Sequence, residues 1–528
     1  MRTNSRLFWY LALPVLVLAV CVFQLPAQAQ QTTTGLSCSQ IASMHLLKQD
    51  NMRAGLTLIQ CGVVQGGAPH GQGDAVEGLG PQPPNVLVSN KTCTSSSGCT
   101  RSESMIYRSA AAGDSTVITN FNAEYGTGAC YDGIAYSTDG GSTFTEISPS
   151  PLCSGHGTNY GDPIVVYNLK LHTWFAGDLV TGCGGQGVGV WTSTNGINWT
   201  VGACAHNNSG DDRESFWVDN NPGSRAYGRM YISFNNFNVG SGALQVVSSN
   251  DGVTWSSPVT LSSSFIRDVQ ITGTPPAPVR NATYTSPVYV AAMDEGSGGL
   301  STRQNHMFRS TDGGVTWTNI TMGSRFNPPG DGTCGYFAKM NPIWRHMGWG
   351  EPGVGPNGVV HYAYAQKGVL STGDIAYTRS TDGGSTWSTP IVLNDPETNQ
   401  YQSHWMPSLS VNYTFRSFQQ PDSITVSWYD RRQSSTACNN VTDPGCNYER
   451  YGVQSNDNGA TWGANFAISN QIIPEPAQND PFVQSCYAGD YDYATALDNN
   501  AYVTWTDGRV SVGGVAVQSV EGSVVPEP

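Results

Sequence analysis

An all-β chain folded as a β-propeller, with seven blades preferred over six, is what this sequence predicts. Three observations carry the prediction: six copies of a short Ser-x-Asp/Asn corner, strand-like phrases between the copies, and a composition poor in charge and rich in small turn residues. The corners read Ser137-Thr-Asp139-Gly-Gly-Ser-Thr-Phe144, Ser193-Thr-Asn195-Gly-Ile-Asn-Trp199, Ser249-Asn-Asp251-Gly-Val-Thr-Trp255, Ser310-Thr-Asp312-Gly-Gly-Val-Thr-Trp317, Ser380-Thr-Asp382-Gly-Gly-Ser-Thr-Trp387 and Ser455-Asn-Asp457-Asn-Gly-Ala-Thr-Trp462. Their Ser-to-Ser intervals are 56, 56, 61, 70 and 75 residues. Repetition at that length, carried by short strands, is the mark of stacked sheet units around an axis.

From the N-terminus, residues 1–29 read as a secretory signal: Arg2 and Arg6, an apolar run from Leu11 to Phe23, and the small-residue site Ala27-Gln-Ala29. The expected location is therefore secreted, extracellular or at the cell surface, with no membrane span once the signal is cut. Of 13 cysteines, Cys21 falls in the signal and leaves twelve, an even number suited to disulfides outside the cell. Proximity pairs Cys38 with Cys61, Cys93 with Cys99, Cys130 with Cys153, Cys183 with Cys204 and Cys438 with Cys446, leaving Cys334 with Cys486. Residues 30–82 are expected as a stapled helical segment and a Gly-rich linker, because Ser39 to Ile59 carries apolar residues near helical spacing between two cysteines.

Residues 83–520 hold the propeller. A first strand follows an acidic or Pro turn (Asp162-Pro-Ile-Val-Val-Tyr, Asp268-Val-Gln-Ile-Thr, Met406-Pro-Ser-Leu-Ser-Val). A second is aromatic and β-branched (Met230-Tyr-Ile-Ser-Phe, Ala501-Tyr-Val-Thr-Trp), and a third runs into the corner (Leu244-Gln-Val-Val-Ser). Seven such phrases can be counted, the last without a corner, so a strand from elsewhere in the chain is expected to close the ring and remove exposed edges. Residues 521–528, ending Val-Pro-Glu-Pro, read as a tail. In each corner Asp or Asn accepts hydrogen bonds from its own turn while Gly tolerates positive φ, so the corners are structural. Trp428-Tyr-Asp430-Arg431-Arg432 and Trp505-Thr-Asp507-Gly-Arg509 repeat Trp-x-Asp-x-Arg at a strand end and are read as turn-closing pairs.

These corners and their strands resemble the Asp-box (bacterial neuraminidase, or BNR) repeats of the sialidase superfamily. The resemblance implies corners on the rim and, in catalytic members, three arginines that clamp a sugar carboxylate, a Tyr–Glu nucleophile pair and an Asp acid/base. Arg presents a planar fork to a carboxylate, and a neutral Tyr approaches an anionic sugar with little repulsion. The family's Phe/Tyr-Arg-Ile-Pro string is missing here; Phe265-Ile-Arg267-Asp268 and Phe415-Arg416-Ser-Phe are the nearest sequences.

Polar residues gather where the central strands begin, and central loops are where propellers hold ligands. Mapped onto them, the resemblance assigns the clamp to Arg213, Arg267 and Arg345, the nucleophile pair to Tyr491 and Glu214, and the acid/base to Asp162 or Asp490. His346, Glu351 and His404 complete the mouth. The bland alternative pairs these arginines and aspartates with each other to hold loops. The expected function is a secreted sialidase-like glycoside hydrolase acting on or binding glycans through its funnel. The alternatives are a two-carboxylate glycosidase using Asp162 and Asp490, or a non-catalytic glycan- or protein-binding propeller. A formal charge of −14 excludes nucleic acid as a partner class. No cofactor and no metal in the site are expected, apart from a structural calcium that Asp490 and Asp492 have the chemistry to hold. A monomer is expected.

Overall fold

Strand pairing gives the architecture directly. The computed structural model describes residues 31–68, 82–124, 127–276, 284–413 and 421–527; the expected signal and most of the Gly-rich linker lie outside the described residues. Six four-stranded antiparallel sheets follow one another along the chain, at 100–147, 164–206, 211–265, 267–326, 351–392 and 404–467. The seventh is assembled from both ends: Thr495–Leu497, Asn500–Asp507 and Ser519–Pro526, with Asn85–Leu87 added on the outside. Seven blades therefore surround the axis. The ring is closed by pairing Asn85 with Ser523 and Leu87 with Glu521. The segment expected as a tail is instead this strand, because Ser519 to Val525 pair residue by residue with Asp507 to Ala501. A short strand, Asp492–Tyr493, also pairs in parallel with Ser104 and Met105 of blade 1, tying blade 7 to its neighbour at the axis.

The core is divided among the gaps between blades. Ile164, Phe175 and Val190 of blade 2 pack on Phe216 and Ile232 of blade 3. Leu244 of blade 3 meets Val290 and Phe308 of blade 4, and Ile375 of blade 5 meets Leu409 and Trp428 of blade 6. Every strand side chain on such a face is buried by the next blade, which explains strands that read as nearly continuous apolar runs.

Each corner follows the third strand of blades 1 to 6 and is built alike. In the first, Gly141 N–H donates to Ser137 Oγ (2.8 Å), while Thr143 N–H and Oγ1–H donate to the Asp139 carboxylate (2.9 and 2.6 Å). Asn195 accepts from Ile197 and Asn198 N–H in the second corner, so geometry is what these positions select. The corner of one blade also packs on the blade before it: Gly252 (φ 76°) lies where a Cβ would collide with the Phe175 ring. Gly252→Val is expected to cost about 1–3 kcal/mol, read as a lower urea midpoint; an unchanged midpoint would show that this contact carries no weight. The two Trp-x-Asp-x-Arg strings form the expected pairs, with Asp430 gripped by Arg432 (3.0 and 2.7 Å) and Asp507 by Arg509 (2.9 and 2.9 Å).

All six expected disulfides are formed. The N-terminal segment folds as one helix, Met52–Gln60, preceded by two short 3-10 turns. Among the described residues no helix is long and apolar enough to cross a membrane.

Candidate functional site

The innermost strands share an irregularity that shapes the axis. Pairing slips between Ser102 and Ser104, Asp212 and Ser215, Arg267 and Gln270, and Trp405 and Ser408. Inside these slips Glu103 (φ 57°), Arg213 (57°), Asp268 (80°) and Met406 (51°) take left-handed backbone, as does Asp162 (63°) just before the blade 2 strand. Each costs roughly 1–3 kcal/mol and persists only where its surroundings over-determine it, a pattern concentrated at functional sites. A bulge re-aims a side chain out of the alternating pleat. Here four of the five re-aimed residues join one charged cluster.

Three arginines organise that cluster. Arg345 grips the Asp490 carboxylate with Nε (3.0 Å) and Nη2 (2.6 Å), while Nη1 donates to Gln484 (2.8 Å) and Nη2 to the Asp50 carbonyl (2.8 Å). Arg267 pairs with the carboxylates of both Asp50 and Asp212. Arg213 pairs with Asp268 (3.1 Å), and its guanidinium lies 4.0 Å from the Tyr491 ring centre and 4.4 Å from that of Trp349. All three charges act on Asp50. Burial alone would raise its pKa, yet Arg267, Arg213 and Arg345 outweigh burial and hold it below the usual carboxylate value. Each of the three arginines is thus paired with acids of the chain itself: Arg213 with Asp268, Arg267 with Asp50 and Asp212, and Arg345 with Asp490.

The other acids go the opposite way. Burial, reinforced by neighbouring carboxylates, lifts Glu103, Asp162 and Glu214 well above their ordinary values, and Asp212 to about 7. Burial lifts Asp268 to about 6 against the opposing charge of Arg213. Such groups keep protons in the folded state that the unfolded chain has released. Their stabilising contribution is complete below the ordinary carboxylate pKa and is lost as pH rises through about 6–7. Asp139 in its corner behaves inversely: hydrogen bonds, led by Thr143, lower it to about 2, so its contribution is lost only in strong acid. The melting temperature is expected to peak at about pH 4–6 and to be a few degrees lower at pH 8. A profile flat or rising from pH 5 to pH 8 would show the buried acids ionised in the folded state.

The structure places the remaining sequence-predicted residues as follows. Asp162 accepts the Arg213 N–H (3.0 Å) and lies among Asp50, Glu103 and Asp212. Tyr491 is buried, stacked on Tyr493 (4.4 Å between ring centres), and its hydroxyl has no hydrogen-bond partner among the described residues. The carboxyls acting on it are those of Glu103 and Asp162. Glu214 makes no hydrogen bond to it, and the acids acting on Glu214 are Asp162, Asp178 and Asp212. Glu351 accepts from Ser408 Oγ (3.1 Å) and Leu409 N–H (2.7 Å), and His346 Nε2 accepts from Met406 N–H (3.2 Å), so both join the blade 6 strand to the segment before it. Burial, then Arg213, lowers His346 to about 3, keeping it neutral. His404 lies beside Gly373, Asp374 and Asp430, at the outer end of the blade 5–6 contact. Asp492, proposed to share an ion with Asp490, instead accepts from Ser104 Oγ (2.8 Å) and Tyr429. Oxygens of Asp50, Asp162 and Asp212 lie within 4.8 Å of one another, a spacing fit for a cation, but Arg267 already supplies positive charge to two of them.

Two hub acids escape the sequence reading: Asp50 and Glu103. Glu103 accepts from Tyr487 Oη (2.9 Å), Asn122 and the Asp490 N–H (2.9 Å), linking blade 1 to the 478–490 loop.

Asp50 arrives on the N-terminal segment, which covers the hub. Asp50 and Asn51 N–H both donate to Asp212 (3.3 Å each), as does the Asn51 side chain, whose Oδ1 caps the helix at Ala54 N–H (2.9 Å). Arg53 donates to the Gly185 carbonyl (2.7 Å) and Gln186 to Gln49 (3.1 Å). Met52 and Leu56 pack with Tyr131, Tyr160, Val483 and Tyr487. Arg213, Arg267 and Arg345 are left 1%, 0% and 2% exposed, so no solute reaches them in this arrangement. The gap beside Asp50 and Arg345 measures about 10 Å³, at the limit for a single water.

Fold and site together define a seven-bladed Asp-box propeller with an arginine–carboxylate hub. Residues 171–408 match the BNR repeat-like domain. That stretch, less than half of the chain, is similar to BNR repeat-like domains. No curated protein matches it. Among solved structures it is similar to a Dyadobacter fermentans protein of unknown function, at 12% identity over 85% of this chain and 99% of that one, with a TM-score of 0.40. The intramolecular trans-sialidase of Ruminococcus gnavus, solved with oseltamivir carboxylate, gives 13%, 83%, 97% and 0.40. An α-L-arabinofuranosidase of Fusarium graminearum, solved with an iminosugar inhibitor, gives 12%, 85%, 98% and 0.40. The architecture above rests on strand pairing and takes nothing from these likenesses.

Proposed function

We propose that this chain is a secreted glycoside hydrolase of sialidase type, acting on glycans that end in an acidic sugar. The observation that supports it is the gathering of Arg213, Arg267 and Arg345 around Asp50, whose carboxylate pairs with Arg267 and whose carbonyl accepts from Arg345, with an unpartnered Tyr491 hydroxyl on the ring that lies against Arg213. In this reading the arginines bind the sugar acid. The Tyr491 oxygen bonds to the anomeric carbon as the glycosidic C–O bond breaks, Glu103, in the fraction of molecules in which it is ionised, takes the phenol proton, and Asp162, protonated by virtue of its raised pKa, delivers a proton to the leaving oxygen. Water, giving a proton to Asp162, then displaces the tyrosine from the face the leaving group had occupied, Glu103 returns the phenol proton, and configuration is retained. Glu103 takes the role that the resemblance assigned to Glu214, because among the carboxyls Glu103 acts most strongly on Tyr491.

The closed hub supports a second reading, a binding propeller without turnover. Incubation with fluorogenic sialosides, glucuronides and neutral galactosides separates the two. Release from an acidic glycoside, falling by about 10³-fold or more in Tyr491→Phe, is the expected result. Release from neutral glycosides alone, or equal turnover by Tyr491→Phe, would remove the hydrolase reading; glycan binding with no turnover on any substrate would leave the binding module.

A further inference from the structure

We infer that residues 31–67 are a built-in inhibitor of the hub, with Asp50 standing where a ligand's carboxylate would stand. The inference rests on the carboxylate-site reading above and adds its regulation.

Topology separates this segment from the propeller. The ring is closed by Asn85–Leu87, which comes later in the chain, so every blade is complete without residues 31–67. No blade sheet includes any part of the segment; its one bridge to the propeller joins Gly66 to Gln484, beside Gly67 N–H donating to the Asp480 and Val483 carbonyls (2.9 Å each). Its remaining hold is by side chains and loops: on Asp212, Arg267 and Arg345 at the hub, on Tyr131 and Tyr160, at Gly185–Gln186 and along the stretch 478–487. The Cys38–Cys61 bridge staples its helix to its first turn, so it is built to move as one body.

The chemistry of its tip is that of a competitor. Asp50 meets three arginine charges, yet it raises the pKa of Glu103, Asp162, Asp212 and Asp490, all of which share its surroundings. A segment selected only to seal an acid-rich hub has no use for one more carboxylate. A segment that mimics an acidic ligand requires it. Ligand and cover then compete for the same arginines, and apparent affinity is reduced by the fraction of molecules that are open.

The test uses the full mature chain with N-acetylneuraminate as probe and galactose as neutral control. It compares the natural sequence with Asp50→Asn, which removes the competing charge at constant shape, and with Arg53→Ala, which loosens the cover without touching the arginine hub. Titration calorimetry gives affinity, and hydrogen exchange over residues 38–61 reports whether the cover is open. Expected are an affinity for N-acetylneuraminate raised about tenfold or more in both variants, no galactose binding, and faster exchange over 38–61 on adding the acidic sugar. Equal affinities in all three chains would overturn the inhibitor and leave the carboxylate site standing. A cover that opens in a variant without any binding would overturn the carboxylate site and the inhibitor with it. A cover that stays protected in every chain, with no binding, would make residues 31–67 a permanent part of the fold and overturn the inference.

Discussion

Arg267→Ala is expected to destabilise the protein by about 3–5 kcal/mol, because it leaves two buried carboxylates, Asp50 and Asp212, without their cation. The hydrogen bonds Asp212 accepts from Asp50 and Asn51 and the charges of Arg213 and Arg345 offset only part of this, because Arg267 is fully buried and packed against the rings of Phe237, Phe265 and Trp349. The loss is expected to depend on pH in a definite direction. Asp212 holds its proton up to about pH 7 even beside Arg267, through burial and the charge of Asp50. At pH 5 Asp212 is protonated in both chains and the deficit is smallest; at pH 8 the natural chain can release that proton beside Arg267, whereas the variant, its Asp212 pKa raised further, must still hold it, and the deficit is largest. Urea midpoints of the two chains at both pH values measure this. A loss below about 1 kcal/mol, equal at both, would mean that Arg267 does not hold the hub together.

The second large effect concerns a bridge. Cys334 and Cys486 are 152 residues apart, so their disulfide closes the longest loop in the molecule. Loop-closure entropy assigns it on the order of 5 kcal/mol, against about 2 kcal/mol for Cys93–Cys99, which closes a separation of 6. Cys334→Ser/Cys486→Ser is therefore expected to lower the urea midpoint roughly twice as far as Cys93→Ser/Cys99→Ser. It also bears on the site: the Cys486 carbonyl accepts the Arg345 N–H (3.1 Å), and Phe337, paired with Cys334 across their hairpin, lies with its ring centre 4.2 Å from the Arg345 guanidinium. Equal losses from the two pairs of substitutions would show that the long bridge constrains nothing that the sheets do not already fix.

What could be read from the amino acids alone divides along the range of the signals. Corners, blade number and cysteine partners were legible because each is written within one blade or announced by repetition. The inner strands of blades 1 and 5 were not. Thr100-Arg-Ser-Glu-Ser and Glu351-Pro-Gly-Val lack apolar alternation, since they face the polar axis and not a neighbouring sheet. Arg213, Arg267 and Arg345 were found because arginine beside aspartate at a strand start is conspicuous. The acid that joins Asp212 on Arg267 was not, since Asp50 lies 162 residues from Asp212 and reads locally as part of a helix cap. The Tyr491–Glu214 pairing failed for a geometric reason: the slip after Asp212 turns Arg213 toward Tyr491, and Glu214 keeps company with Asp178 and Asp162.

The seventh blade draws three of its strands from the end of the chain and one from near the beginning. A polypeptide synthesised from its N-terminus must therefore keep Asn85–Leu87 waiting, with one edge unsatisfied, until Ser519–Pro526 is made more than 400 residues later. The first six sheets can form during synthesis, but the circle locks only after release. A nascent chain stalled before residue 519 would hold blades side by side in an open arc, vulnerable to proteases, and the finished ring would resist being peeled from either terminus.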